Sequence, residues 1–253
     1  MVHFAHLAAT ALLCASYARA ALLVDYNAAR GDEVTKLGLV NLEAARGEKQ
    51  DGNTADLYIK NDKDWKGAKS AHFHRKKGDI RRISGKTANT DEKKRAEYHA
   101  LNKKTQEGKT YFIGYQFALG ATPDALMVMQ WKEFVANGAA GSDAANIPLS
   151  LEPQPIRGRQ PQWSTPVRPQ TVYTVALEIL ARDAGRGHVR MWWDGKPVTF
   201  DTTQSTTLKG NLFPGRSDPK FGIYRGEAVM TDSWVYQVQI GESKADLDSK
   251  FIS

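Results

Sequence analysis

The chain has 253 residues, 41% hydrophobic and 25% charged, with a formal net charge of +7. That is ample for one sizeable core, and all-β sandwiches often reach this length as a single domain. Its one cysteine, Cys14, lies in a segment expected to be removed, which excludes disulfides, a thiolate nucleophile and cysteine-bound zinc from the mature chain.

Residues 1–20 read as a secretory signal peptide, with an apolar run from Leu7 to Ala15 and Ala18-Arg19-Ala20 as the cleavage site. The run is too short to span a bilayer. A single domain, residues 21–253, is then expected outside the cell. Losing Arg19 lowers the formal charge from +7 to +6. A secreted basic protein most plausibly meets an acidic partner such as a polyuronate, a nucleic acid or an anionic cell surface; the bland reading is that the charge only keeps it soluble.

Strand-like runs rich in β-branched and aromatic residues follow at Thr110–Leu119, Leu126–Phe134, Thr171–Leu180, Gly187–Trp193, Phe221–Tyr224 and Trp234–Ile240. Asp194-Gly195 between Trp193 and Lys196 is a tight hairpin signal, and Ser243–Lys250 is expected to form a short helix. Two stretches break the pattern. Pro153–Gln170, with five prolines, reads as an extended loop, and Arg82–Lys94, polar and cationic, as a surface loop or a disordered one. Many short strands with polar turns predict an antiparallel sandwich.

Alternation along strands puts Gln130 and Lys132 on one face and Met127, Met129 and Trp131 on the other. It likewise joins Lys220 to Tyr224, with only Gly222 between them and no side chain there to block a bound chain. Amide, ammonium and phenol groups so placed suit gripping a carboxylate and moving a proton beside it. His72 and His74 share a face, as do Arg95, Glu97 and His99. Taken singly, each histidine reads as structural, Glu97 as an orienting ion pair and each lysine as surface charge. What favours a site is that Lys132 and Lys220 both lie opposite hydrophobic strand faces. No paired carboxylates for glycan hydrolysis are present, since Asp143, Glu178 and Glu227 are scattered. A nucleophile elbow, a P-loop and a dinucleotide fingerprint are also missing, so no organic cofactor is expected.

Five segments carry a resemblance: Ser70–Asp79, Arg95–Leu101, Tyr111–Tyr115, Gln130–Glu133 and Phe213–Tyr224. In order, they resemble those of the glucuronan lyases (polysaccharide lyase family 20), small secreted fungal enzymes with a β-jelly-roll fold. The Lys-x-Gly-x-Tyr pattern at Lys220–Tyr224 is more distantly similar to that of heparin and alginate lyases. The resemblance implies an all-β antiparallel β-sandwich jelly roll with a concave, basic substrate cleft. It implies β-elimination on β-1,4-glucuronan, giving unsaturated uronate ends. Tyr224 would be base and acid at once, Gln130, Lys132 and Arg95 would neutralise the uronate carboxylate, and His74 or His99 is the second choice as base. Lys220, His72, His99, Arg81 and Tyr115 would contact substrate. Lys132 stands where many jelly-roll lyases carry a histidine. An apparent insertion at 82–95 leaves Arg81 and Arg95 as alternatives, with Arg95 favoured. A structural calcium ion is implied, for which Asn41, Glu43 and Asp232 are the candidate ligands, each of which also reads as an ordinary surface residue. The expected partner is an acidic polysaccharide, with no nucleic acid or membrane, and the chain is expected to be a monomer. The alternative is a non-catalytic carbohydrate-binding jelly-roll module, stacking sugar on Trp192 or Trp193.

Overall fold

The apolar alternation of the chain becomes a pair of sheets in the computed structural model, which describes residues 21–44, 49–77, 80–83, 86–89, 95–102, 104–133, 149–152, 160–213, 217–225 and 229–253. The expected signal segment, Cys14, Asp143 and Glu227 lie outside these residues. In chain order the strands are β1 (Val24–Asn27), β2 (Leu39–Glu43), β3 (Leu57–Lys63), β4 (Lys69–Arg75), β5 (Ile80–Ile83), β6 (Lys86–Asn89), β7 (Arg95–His99) and β8 (Thr110–Leu119). There follow β9 (Leu126–Glu133), β10 (Leu149–Leu151), β11 (Tyr173–Leu180), β12 (Gly187–Trp193), β13 (Lys196–Pro197), β14 (Leu208–Gly210), β15 (Ser217–Arg225) and β16 (Thr231–Gly241).

One sheet has nine strands, running β13-β12-β11-β8-β16-β4-β3, with β1 beside β16 and β14 beside β12. The other has five, in the order β10-β9-β15-β7-β2. All pairings within them are antiparallel, and the two sheets form a jelly-roll sandwich. Aromatic pairs bridge them: Phe73 meets Tyr98, Tyr111 meets Trp131, and Tyr115 meets Phe221 with ring centroids 5.1 Å apart. Burying each large apolar side chain of this layer is worth roughly 1.5–3 kcal/mol, so the core dictates which strand face turns inward. The polar residues between them are thereby forced onto the outer faces.

The expected hairpin forms with Asp194 and Gly195 at φ 47° and 77°, the two left-handed positions of a tight turn. Three expectations fail. Ile80–Ile83 pairs with Lys86–Asn89 as a separate two-stranded ribbon, so part of the supposed loop at 82–94 is strand. At the C-terminus only Lys244–Asp246 turn, as a capped 3-10 segment, because Ser243 and Asp246 satisfy one another's backbone. Finally, the β9–β15 register shifts between Phe221 and Tyr224, which breaks the alternation. Val128 joins Met129 and Trp131 in the core, while Met127 lies opposite Tyr224.

Candidate active site

The outer face of the five-stranded sheet collects most of the polar residues singled out in the sequence. Register places Gln130, Lys220, His99 and Leu39 across four adjacent strands, with Glu97 opposite Asn41 and Arg95 opposite both Tyr224 and Glu43. Lys132 lies opposite Asp218. Gly222 sits at φ 138°, where a Cβ would come within 2.2 Å of the Ala96 carbonyl oxygen and 2.8 Å of the Phe73 ring. The glycine is thus required by the bulged backbone rather than by clearance for a bound chain.

Glu97 is the hub. It is 1% exposed, and its two oxygens take Gln130 Nε2 on one side and Lys220 Nζ, at 3.1 Å, on the other. Arg95 Nη1 lies 3.5 Å from Glu97 Oε2, and its Nε lies 3.0 Å from Glu43 Oε2. With its amide oriented so that the oxygen faces Lys220, Asn41 accepts from Lys220 Nζ at 2.7 Å and donates to Glu43 Oε1 at 3.0 Å. A carboxylate so buried is tolerable only because it is paired and hydrogen-bonded. The Arg95 guanidinium also covers the Tyr224 ring, 4.0 Å from its centroid, a cation–π contact that fixes the phenol's orientation. One row away, His99 Nε2 lies 3.1 Å from Asp218 Oδ2, and Thr105 Oγ1 lies 2.6 Å from Asp218 Oδ1.

Two amines are displaced from their ordinary range. Burial pushes Lys220 down, and Glu97 pulls it partly back. Burial also lowers Lys132 to about 8, helped by the positive charges of Lys220 and Arg95 and opposed by Glu97 and Glu43. An open groove of about 780 Å³ is lined by His99, Lys36, Lys104 and Lys109, with Glu242 in its wall 3.0 Å from the Lys109 amine.

The face is not the simply basic cleft that the resemblance implied. Glu43, Glu97 and Asp218 match Arg95, Lys132 and Lys220 in number; Glu43 pairs with Arg95 and Glu97 with Lys220, while Asp218 lies against His99. Asp218 and Thr105 were missed; Asp218 lies two residues before Lys220 in the same strand, so period two alone would have placed it on this face.

Four expected site residues lie elsewhere. His72 and His74 alternate with the core residues Ala71 and Phe73, so they face away from the core on the nine-stranded sheet and do not join Gln130 and Lys132. Tyr115 points inward: it is 1% exposed, stacks on Phe117 and donates to the Val128 carbonyl, and burial pushes its phenol far above its ordinary range. It has no access to substrate. Arg81 belongs to the separate β5–β6 ribbon, whereas Arg95 is in the five-stranded sheet beside Tyr224. Nor do the three suggested calcium ligands converge. Asn41 and Glu43 are committed to Lys220 and Arg95, while Asp232 on β16 holds two imidazoles, a nitrogen-rich setting that does not suit a hard cation. Trp192 is buried against Phe251, and Trp193 packs on Trp163 and Tyr173, so neither offers a sugar-stacking platform.

No protein-family model and no curated protein sequence matches the chain. Solved structures do. An endo-β-1,4-glucuronan lyase from the fungus Trichoderma reesei superposes with a TM-score of 0.54 at 16% identity, over 84% of this chain and 98% of that one. An alginate lyase of polysaccharide lyase family 7 gives a TM-score of 0.47 at 14% identity, over 81% of this chain and 93% of that one. The chain is therefore a distant structural relative of the glucuronan lyase, with which it shares the jelly-roll sandwich.

Proposed function

We propose that the protein is a secreted polysaccharide lyase that cleaves a polyuronate, first of all β-1,4-glucuronan, by β-elimination. The observation that carries this reading is Lys132: an amine lowered to about 8 by burial and cationic neighbours, on the same sheet face as Tyr224 and Arg95. A group that is part neutral near pH 8 is a competent proton acceptor. The shared fold with a glucuronan lyase and a groove that holds His99 and Lys104 support an anionic chain as substrate.

In a D-glucuronate, H5 and the leaving O4 lie on one side of the ring, so the groups that serve them must approach from one side. Lys132 and Tyr224 project from the same face, Lys132 opposite Asp218 and Tyr224 opposite Met127, and in this proposal their long side chains lean toward each other along the strands to serve the two positions. Lys132 takes the C5 proton, and the electron pair released forms the C4–C5 double bond as the C4–O4 bond breaks. The Tyr224 phenol protonates O4, and exchange with solvent restores both groups. In this reading Arg95, over the Tyr224 ring, meets the negative charge that grows on the uronate carboxylate, while the buried Lys220 adds its positive field from beneath, and preorganised charges there favour the enolate-like intermediate.

The engagement of Gln130, Lys220 and Arg95 by Glu97 favours a second reading, in which this ionic network only shapes a sheet that binds acidic polysaccharide. Absorbance of unsaturated uronate during incubation with glucuronan, alginate and heparin separates the two. Growth of that band with glucuronan supports the lyase; binding to glucuronan without it, across pH 5–9, leaves the binding module.

A further inference from the structure

Outside this site, the densest cluster of metal-binding side chains among the described residues lies on the outer face of the nine-stranded sheet. His72 and His74 come from β4 and Asp232 from β16, paired so that Asp232 faces His74 and Trp234 faces His72. Ligand atoms of the three residues lie within 4.8 Å of one another. His72 Nε2 is 2.8 Å and His74 Nδ1 is 2.7 Å from the same oxygen, Asp232 Oδ1. The rings are held in place by neighbours: Tyr58 stacks on His74 at 4.7 Å and Trp234 on His72 at 5.3 Å. All three side chains keep a little exposure, between 12% and 16%, so the cluster is reachable from solvent.

The other nitrogen of His72 makes the cluster unusual. Its Nδ1 lies 3.3 Å from Asp62 Oδ2, so the ring is flanked by a carboxylate at each nitrogen. A neutral imidazole has one N–H and one lone pair. With the N–H on Nε2 the 2.8 Å contact is a hydrogen bond to Asp232; a metal at this corner takes the place of that proton, and the N–H then moves to Nδ1 and donates to Asp62. An imidazole whose far nitrogen is held by a carboxylate is the arrangement that orients histidine ligands at metal centres.

We infer that His72, His74 and Asp232 form a binding site for a divalent transition metal of the zinc class, with Asp62 orienting His72 from behind. Two imidazoles and one carboxylate suit borderline metals and disfavour calcium, which takes oxygen ligands. Ligands about 2.0–2.1 Å from zinc stand roughly 3.3 Å apart in a tetrahedral site, so the Asp232 carboxylate has to move outward by less than about 1 Å. Three protein ligands leave a coordination position for water. The site lies across the sandwich from Lys132 and Tyr224, so it is independent of the proposed lyase chemistry.

The test is titration of the metal-stripped full chain with zinc alone, followed by calorimetry and thermal unfolding, with cobalt as a spectroscopic probe. Expected are one saturable site per chain, a rise in Tm, and visible cobalt bands of low-symmetry coordination. Calcium at the same concentration is expected to leave Tm unchanged. His74→Gln should abolish the site and Asp62→Asn should weaken it about 10–100-fold, while His188→Gln, far from the cluster, should leave it intact. If His74→Gln fails to fold, the near-isosteric Asp232→Asn takes its place. Absence of saturable zinc binding, or binding that survives both His74→Gln and Asp232→Asn, overturns the site and leaves His72 as a structural residue hydrogen-bonded between Asp62 and Asp232.

Discussion

Lys220→Met is the most direct probe of the ionic core beneath the proposed site. Methionine keeps the unbranched shape and the apolar stem but removes the charge that Glu97 Oε2 meets at 3.1 Å. Glu97 is 1% exposed, and its remaining partners are the Gln130 amide and Arg95 Nη1 at 3.5 Å, the latter shared with Glu43. Breaking one side of a buried pair typically costs about 3–5 kcal/mol, because the surviving charge stays desolvated. For a domain of this size each kcal/mol moves Tm by about 2–4 °C, so a loss of roughly 6–20 °C is expected. Glu97→Leu should cost a similar amount by stranding Lys220. The double variant should be much less destabilised than the sum of the two, giving a coupling of about 1–3 kcal/mol in a double-mutant cycle. Urea unfolding followed by fluorescence reads all four species, with six tryptophans as reporters. Additive losses, or a loss below about 1 kcal/mol in Lys220→Met, would refute Glu97 as the hub of a coupled buried network.

Further outcomes are expected. With the Lys132 amine lowered from 10.5 to about 8, kcat/KM should rise through about pH 8 and level off above it, and Lys132→Met should lose the activity and the limb together; the same limb in the variant would assign it to another group. The folded chain binds fewer protons than the unfolded chain between about pH 8 and 10.5, so Lys132 costs stability at neutral pH and that cost fades as pH rises; Lys132→Met should flatten this part of the Tm–pH curve. Tyr224→Phe keeps the ring under Arg95 and should lower turnover by about 10²–10⁴-fold with little change in glucuronan affinity, which stopped assays and calorimetry measure separately. Gly222→Ala meets the Ala96 carbonyl at a left-handed backbone position and should lower stability by at least about 2 kcal/mol in denaturant titration.

Much of the architecture was written in local patterns. Strand β8 runs from Thr110 to Leu119 and β12 from Gly187 to Trp193, as apolar alternation predicts, and Asp194-Gly195 specifies its own turn. Period two also shows that Gln130 shares a face with Lys132 and His72 with His74, because that geometry belongs to a single strand, whereas Lys220 and Tyr224 are separated by a bulge that alternation does not foresee. It does not reveal which faces of different strands meet. His74 and Gln130 are equally good polar residues on equally amphipathic strands, yet one belongs to each sheet, and sheet membership depends on pairing with β16 or β15, far along the chain. Tyr115 looks like a polar ligand in sequence and is a core aromatic in the fold, since its hydroxyl finds the Val128 carbonyl. The lowered Lys132 and the hub at Glu97 arise from charges contributed by four strands. Burial and charge pairing are properties of the assembled sheets, so only the tertiary structure could decide them.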